Sequence, residues 1–228
     1  MKKRDLLILA AVLLVSIPLI LGSGGPAPER PKEEAYPSLI ENFEDGDIVK
    51  DPAWWKFDNV VLKVDKSYKL KGGDSVVEGE TGEYVLKIDG STNAWYVGGF
   101  GAYIAKDASG YNSISVDIYG TGKGSGKVKL ELYDDDNNNM QIEQDPRTYA
   151  PLKDDKFEYE IDVSWTGWKR VKVPFRSFKQ VNSGVGDDSW NPNTANGSGG
   201  LLHIQVIIVA ADETGSVNLG IDNIELTN

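Results

Sequence analysis

The sequence predicts an all-β fold, a two-sheet β-sandwich of the jelly-roll kind. Three observations carry that prediction. About ten short runs alternate apolar and polar residues with a period of two, the mark of strands with one buried and one wet face. Twenty-five glycines, with Asn, Asp and Ser, punctuate those runs, and no amphipathic helical pattern stands out beyond the N-terminal segment. Without an export segment and linker roughly 190 residues remain, the size of one sandwich domain.

Residues 1–24 read as a signal peptide. Lys2, Lys3 and Arg4 form a basic start, Leu6 to Leu21 is apolar except for Ser16 and Pro18, and Gly22, Ser23 and Gly24 offer small residues for cleavage. The apolar run is slightly short for a comfortable membrane span, and Pro18 weakens it as a permanent helix. A cleaved signal implies a secreted protein; an uncleaved one would leave the chain attached at the cell surface. Residues 25–37 (GPAPERPKEEAYP) lack the apolar residues to pack and read as an extended tether. The folded domain is expected over residues 38–228.

Within it, Ser38 to Gly46 (SLIENFEDG) reads as a short strand and an acidic turn, followed by Trp54 and Trp55. Neighbours on a strand face opposite ways, so at most one of these tryptophans is buried if both are extended. Tyr84 to Ile88 is a strand. Trp95 to Ile104 is aromatic and Gly-rich, which suggests a bulge or a close backbone approach. Ile114, Val116 and Ile118 alternate with Ser115, Asp117 and Tyr119, and Val128, Leu130 and Leu132 with Lys129, Glu131 and Tyr133. Asp134 to Asn139 (DDDNNN) reads as a hairpin tip, with Met140 to Glu143 starting the returning strand. Phe157 to Val163 and Trp168 to Phe175 are strands, and Ser183 to Gly200 is a long polar connection holding Trp190. Leu202 to Ala210 is apolar on both sides, so it should be central, and Val217 to Leu226 closes the domain.

The formal net charge is −11; residues 1–24 hold three basic residues and one acidic residue, so the mature value is −13. Such a surface repels phosphate backbones and anionic headgroups, which argues against nucleic acid and membrane-surface partners. With no cysteine, disulfides, thiol nucleophiles and zinc–thiolate sites are excluded. His203 is the only histidine, no nucleophile-elbow motif occurs, and Glu158 and Glu160 share one strand without acid–base asymmetry. No catalytic residue is assigned.

Five pieces in order resemble the β-jelly-roll carbohydrate-binding modules with the galactose-binding-like fold: NFEDGD (42–47), GEYVLKIDGS (82–91), DASGYNSISVDIYG (107–120), TGWKRVKVPFRSF (166–178) and IDNIEL (221–226). The resemblance covers residues 39–226 and points to the family 11 and family 4-like modules and the related CIA30-type domains. It implies a non-catalytic protein that binds a polysaccharide, β-glucan-like, on a concave sheet face. It also implies a structural Ca²⁺ held by Glu44, Asp222 and a backbone carbonyl near Lys87 or Asp89, with Asp45 a lesser candidate. Ordinary turn residues are the other reading of those positions.

Aromatic rings stack on the C–H faces of sugars, and Asp, Glu and Gln pair with their hydroxyls. The outward residues Asp117, Tyr119, Glu131, Tyr133 and Gln205, with Trp95 and Trp190 overhanging, are the candidate glycan site. Against this, Tyr119 and Tyr133 fit surface cross-strand pairs and Trp190 fits a loop pin. Asp134, Asp136, Asn138 and Asp145 mimic the spacing of a calcium loop. Asn139 replaces its glycine and Asp145 its bidentate Glu, however, so a solvated tip is expected. The rival functions are a structural or adhesive cell-surface sandwich and, last, a small glycan-active enzyme.

Overall fold

A computed structural model describes residues 38–66 and 82–228. The expected signal and linker, residues 1–24 and 25–37, lie outside the described residues.

Twelve strands occur among the described residues: β1 (Ser38–Glu41), β2 (Trp54–Asp58), β3 (Val61–Lys66), β4 (Tyr84–Thr92), β5 (Tyr96–Lys106), β6 (Ser113–Thr121), β7 (Lys127–Asp135), β8 (Asp155–Asp162), β9 (Thr166–Pro174), β10 (Lys179–Gln180), β11 (Gly200–Val209) and β12 (Gly215–Thr227). A single 3-10 turn, Phe175–Ser177, follows β9. The sequence pattern finds nine of the strands, leaves β2 conditional on Trp54 and Trp55 being extended, and passes over β3 and the two-residue β10. It also starts the return of the β7 hairpin too early: residues 140–143 are loop, and β8 begins at Asp155.

The strands form two antiparallel sheets. One runs β3-β4-β12-β6-β9, with β1 beside the last residues of β12. The other runs β10-β8-β7-β11-β5-β2. The apolar sides of the alternating runs meet between the sheets. Ile114, Val116 and Ile118 of β6 and Leu219 and Ile221 of β12 pack in one core with Leu130 and Leu132 of β7 and Ile204, Val206 and Ile208 of β11. Burying each such side chain contributes about 1.5–3 kcal/mol, so this layer is what keeps the two sheets together. β11 lies between β7 and β5, in the central position its two-sided apolarity predicts.

One connection decides where the outward residues go. β6 and β7 are consecutive in sequence but belong to different sheets. The link between them turns on Gly122, Gly124 and Gly126, all at positive φ. At Gly126 an added Cβ would lie 2.4 Å from the Val209 carbonyl oxygen, so the chain crosses where only glycine fits. The polar sides of β6 and β7 therefore lie on opposite exteriors of the sandwich.

Candidate functional site: a cleft on the outer face of the β2-β5-β11-β7-β8 sheet

The site begins with glycine. On β5, Gly99 and Gly101 stand where a strand would carry outward side chains, and neighbouring rings fill the space. A Cβ at Gly99 would lie 2.6 Å from the Phe57 ring, and one at Gly101 2.7 Å from the Trp55 indole and 2.9 Å from the Gln205 side chain. The bare backbone of β5 thus lets Trp55 and Phe57, from edge strand β2, lie down over the sheet. Trp54 faces inward, 5% exposed, donating from Nε1 to Glu41 at 2.8 Å, while Trp55 is 37% exposed. The alternation expected of the adjacent tryptophans holds.

Across from these rings, β7 supplies Lys129, Glu131 and Tyr133, β8 supplies Lys156, and β11 supplies Gln205. Together they line a cleft of about 570 Å³. Its rim is completed by Tyr96, whose hydroxyl donates to Asp58, and by Gln144, Thr148 and Tyr149. Those last three sit on the 136–154 connection. There the Asp145 carboxylate accepts from the backbone of Arg147 and Thr148, and Gln144 bridges to Pro151. This tight turn carries Tyr149 up to the cleft, 71% exposed.

The electrostatics of the floor are nearly self-contained. Glu131 is buried, with Oε1 3.0 Å from Lys129 Nζ and Oε2 2.8 Å from Lys156 Nζ. Burial opposes its charge, yet Lys156 and Lys129 outweigh it and hold the carboxyl below its ordinary value. The Tyr133 hydroxyl donates to Glu131 at 3.2 Å, and burial pushes its ionisation far upward. His203, also on β11, is wedged edge-on against Trp55 and Tyr103 and at a tilt against Tyr133, at ring distances of 5.2–5.9 Å. Burial lowers its pKa to about 4, so it is a neutral packing ring at neutral pH. The Gln205 amide has no side-chain hydrogen bond among the described residues, which leaves it available to a ligand.

Of the residues picked out from the sequence, Glu131, Tyr133 and Gln205 come together here. Asp117 and Tyr119 do not, because β6 lies in the other sheet. Asp117 is buried in a two-bond pair with Arg170 (2.8 and 3.0 Å) and accepts from Asn223 at 2.9 Å. Tyr119 packs on Trp168 and Val85. Trp95, at φ +65°, is tied to the 210–213 turn by backbone bonds with Glu213 and Ala210, outside the cleft lining. Trp190 is a loop pin, packed edge-on against Phe157 and at a tilt against Phe175, at 5.3 and 4.9 Å. Sequence reasoning misses Trp55 as a site residue, along with Phe57, Tyr96, Tyr149, Lys129 and Lys156. The glycines facing Trp55 and Phe57 were a legible signal for close packing, but not for which rings would do it.

On the other sheet, the Glu44 turn reaches Asp222. Glu44 Oε1 accepts from Tyr84 N at 2.9 Å, and a Cβ on Gly82 would collide with the Glu44 carboxylate. Asp222 is buried with Oδ2 unpartnered, and burial, then Asp117 and Glu44, push it up to about 7. A buried orphan carboxylate oxygen beside a second carboxylate fits a hard divalent cation. Lys87 pairs with Gly220, two positions from Asp222 along the ladder, and its ammonium pairs with Asp89 at 3.4 Å.

No protein-family model matches the sequence, and no curated protein matches it either. Solved structures do match in three dimensions. A family 11 carbohydrate-binding module from Clostridium thermocellum, in complex with a β-1,3-1,4-mixed-linked tetrasaccharide, aligns with a TM-score of 0.50 at 15% identity, over 84% of this chain and 95% of the module. An exo-β-agarase aligns with a TM-score of 0.51 at 15% identity, over 84% of this chain and 25% of the agarase. At such identities the likeness establishes architecture: the chain has the two-sheet jelly-roll fold of carbohydrate-binding modules.

Proposed function

We propose that this protein is a secreted, non-catalytic carbohydrate-binding protein that holds a polysaccharide chain in the cleft of the β2-β5-β11-β7-β8 sheet. The observation that carries the reading is the composition of that cleft. Trp55, Phe57, Tyr96 and Tyr149 offer ring faces and edges for the C–H surfaces of sugars, while Gln205, Asp58 and the Lys–Glu cluster offer donors and acceptors for their hydroxyls. Arranging Glu131 between two ammoniums before any ligand arrives lowers the ordering cost of binding.

A β-glucan is the preferred polymer. The family 11 module with this architecture is complexed with a β-1,3-1,4-linked tetrasaccharide. Among the described residues of the cleft, both Glu131 oxygens are engaged by lysines and Asp58 accepts from the Tyr96 hydroxyl, which favours binding over cleavage. Glu44 and Asp222 would hold one structural Ca²⁺, which supplies the positive charge that the orphan Asp222 oxygen lacks.

Titration calorimetry against a panel of soluble polysaccharides tests the reading. Binding to a mixed-linked β-glucan, lost in Trp55→Ala and kept in Trp95→Ala, is the expected result. No heat with any polymer, or equal loss in both variants, contradicts it.

A further inference from the structure

The geometry points to a second divalent-cation site at the end of the β7-β8 pair, formed by Asp134 and Asp136 of the β7 end, Asp155 of β8 and Asp187 of the 181–199 connection. Ca²⁺ is the cation its oxygen-only ligand set fits best.

Carboxylate oxygens of Asp136, Asp155 and Asp187 lie within 4.8 Å of one another. Crowded acids alone would mean little, since a solvated loop holds many. The expected wet tip holds at residues 137–139, which are exposed, but not at its base: Asp134 is fully buried, and so is Asp155 of β8. Asp134 keeps Oδ1 without a partner, and it sits close enough to Asp136, Asp155 and Asp187 for all three charges to act on it. Asp136 Oδ1 and the Asn191 side-chain oxygen are unpartnered as well, and the Asn191 amide donates to Asp187 at 2.7 Å. One orphan oxygen thus belongs to the carboxylate cluster itself, and the other two lie on Asn191, which is bonded to Asp187, and on Asp134, which is within electrostatic reach of all three acids. Leaving such groups unpaired is costly, and a cation satisfies all of them at once.

The surrounding backbone is shaped to this cluster. Gly186 lies so close that a Cβ there would sit 2.0 Å from Asp136 Oδ2 and 2.7 Å from the Asp155 carboxyl. Asp136 Oδ2 accepts from Asp155 N at 2.8 Å, Asp155 accepts from Ser189 N at 3.0 Å, and Asp134 accepts from Asn191 N at 2.7 Å. These bonds orient each carboxylate while leaving the orphan oxygens to the cation. The site is separate from the Glu44–Asp222 pair, which belongs to the opposite sheet. A cation here would fasten the long 181–199 connection to the base of the 136–154 connection, which carries Tyr149 to the cleft.

The test is Ca²⁺ titration of the chelator-stripped full chain by calorimetry, for the wild type and for Asp187→Asn, Asp136→Asn and Glu44→Gln. Asp187→Asn and Asp136→Asn should each bind one equivalent fewer than wild type, or bind it at least tenfold more weakly, while Glu44→Gln keeps that equivalent. In chelator, Asp136→Asn should melt no lower than wild type, because one crowded charge is gone. Stoichiometry and affinity unchanged in both Asp variants overturn the proposal, as does a wild type that binds no Ca²⁺. Should the variants fail to fold, amide shifts of the wild type on adding Ca²⁺ decide the matter. Movement of Asp155, Asp187, Ser189 and Asn191 supports the site, and stillness there overturns it. Loss of an equivalent in Glu44→Gln alone would support the opposite-sheet calcium and overturn this one.

Discussion

Individual side chains on the two exteriors do different work, and their substitutions separate. Trp55 lies over Gly101 at the cleft, so Trp55→Ala should weaken polysaccharide binding at least tenfold, about 1.4 kcal/mol, with little change in melting temperature. Arg170 does the opposite job. It covers the buried carboxylate of Asp117, to which Asn223 also donates. Arg170→Ala should destabilise the fold by roughly 2–3 kcal/mol in chemical unfolding while leaving sugar affinity unchanged. His203 gives a pH signature. Its folded pKa, about 4, lies below the ordinary 6.5, so the unfolded chain binds the proton more readily between those values. Stability contributed by neutral His203 is complete above pH 6.5 and lost as pH falls toward 4. Relative to wild type, His203→Gln should flatten the fall in stability across that window by about 2 kcal/mol. Thermal melts at pH 4.5 and 7 check it.

At the scale of strands, the alternation in the sequence identified which side chains point outward but not outward from what. Ser115, Asp117 and Tyr119 on β6 and Lys129, Glu131 and Tyr133 on β7 have the same period and are separated by the glycine link, Tyr119 lying ten residues before Lys129. Nothing local distinguishes a hairpin, which would put both sets on one face, from a crossing between sheets, which puts them on opposite ones. The choice depends on β11 and β12, which pair with β7 and β6 respectively, 65 or more residues later. The core was legible because inward residues stay inward under either topology. The cleft was only half legible because its rings come from β2 and β5, far from β7 in sequence. The acidic tip misled for a related reason: spacing shows no burial, and the 181–199 connection that covers Asp134 and Asp155 is itself irregular. β5 also carries a prediction of its own. Gly101→Val would force Trp55 and Gln205 off the strand, so sugar affinity should drop several-fold while the far-ultraviolet circular dichroism of the sandwich persists.

Across the whole molecule, the two sheets share one core and divide the labour. The β3-β4-β12-β6-β9 sheet has its exterior closed by Asp117–Arg170, by the Tyr119–Trp168 contact and by the Glu44 turn over Asp222. The other sheet is left open between its edge strand and the 136–154 connection. A structural Ca²⁺ at Glu44 and Asp222, held at a hundred times its dissociation constant, would add about 2.7 kcal/mol, or roughly 5–10 °C in melting temperature. Chelation should remove that increment from the wild type, so it should lower the wild-type melting temperature by more than that of Asp222→Asn, which has only the Asp136–Asp155–Asp187 cation to lose.

The open cleft as a sugar site is the centre of this account, and nitrogen-15 amide shift mapping with a soluble mixed-linked β-glucan oligosaccharide tests it most directly. The account predicts progressive, saturable shifts gathered on Trp55, Tyr96, Glu131, Gln205 and Tyr149. Shifts gathered instead around Asp117 and Tyr119, or none with any glucan, would contradict it.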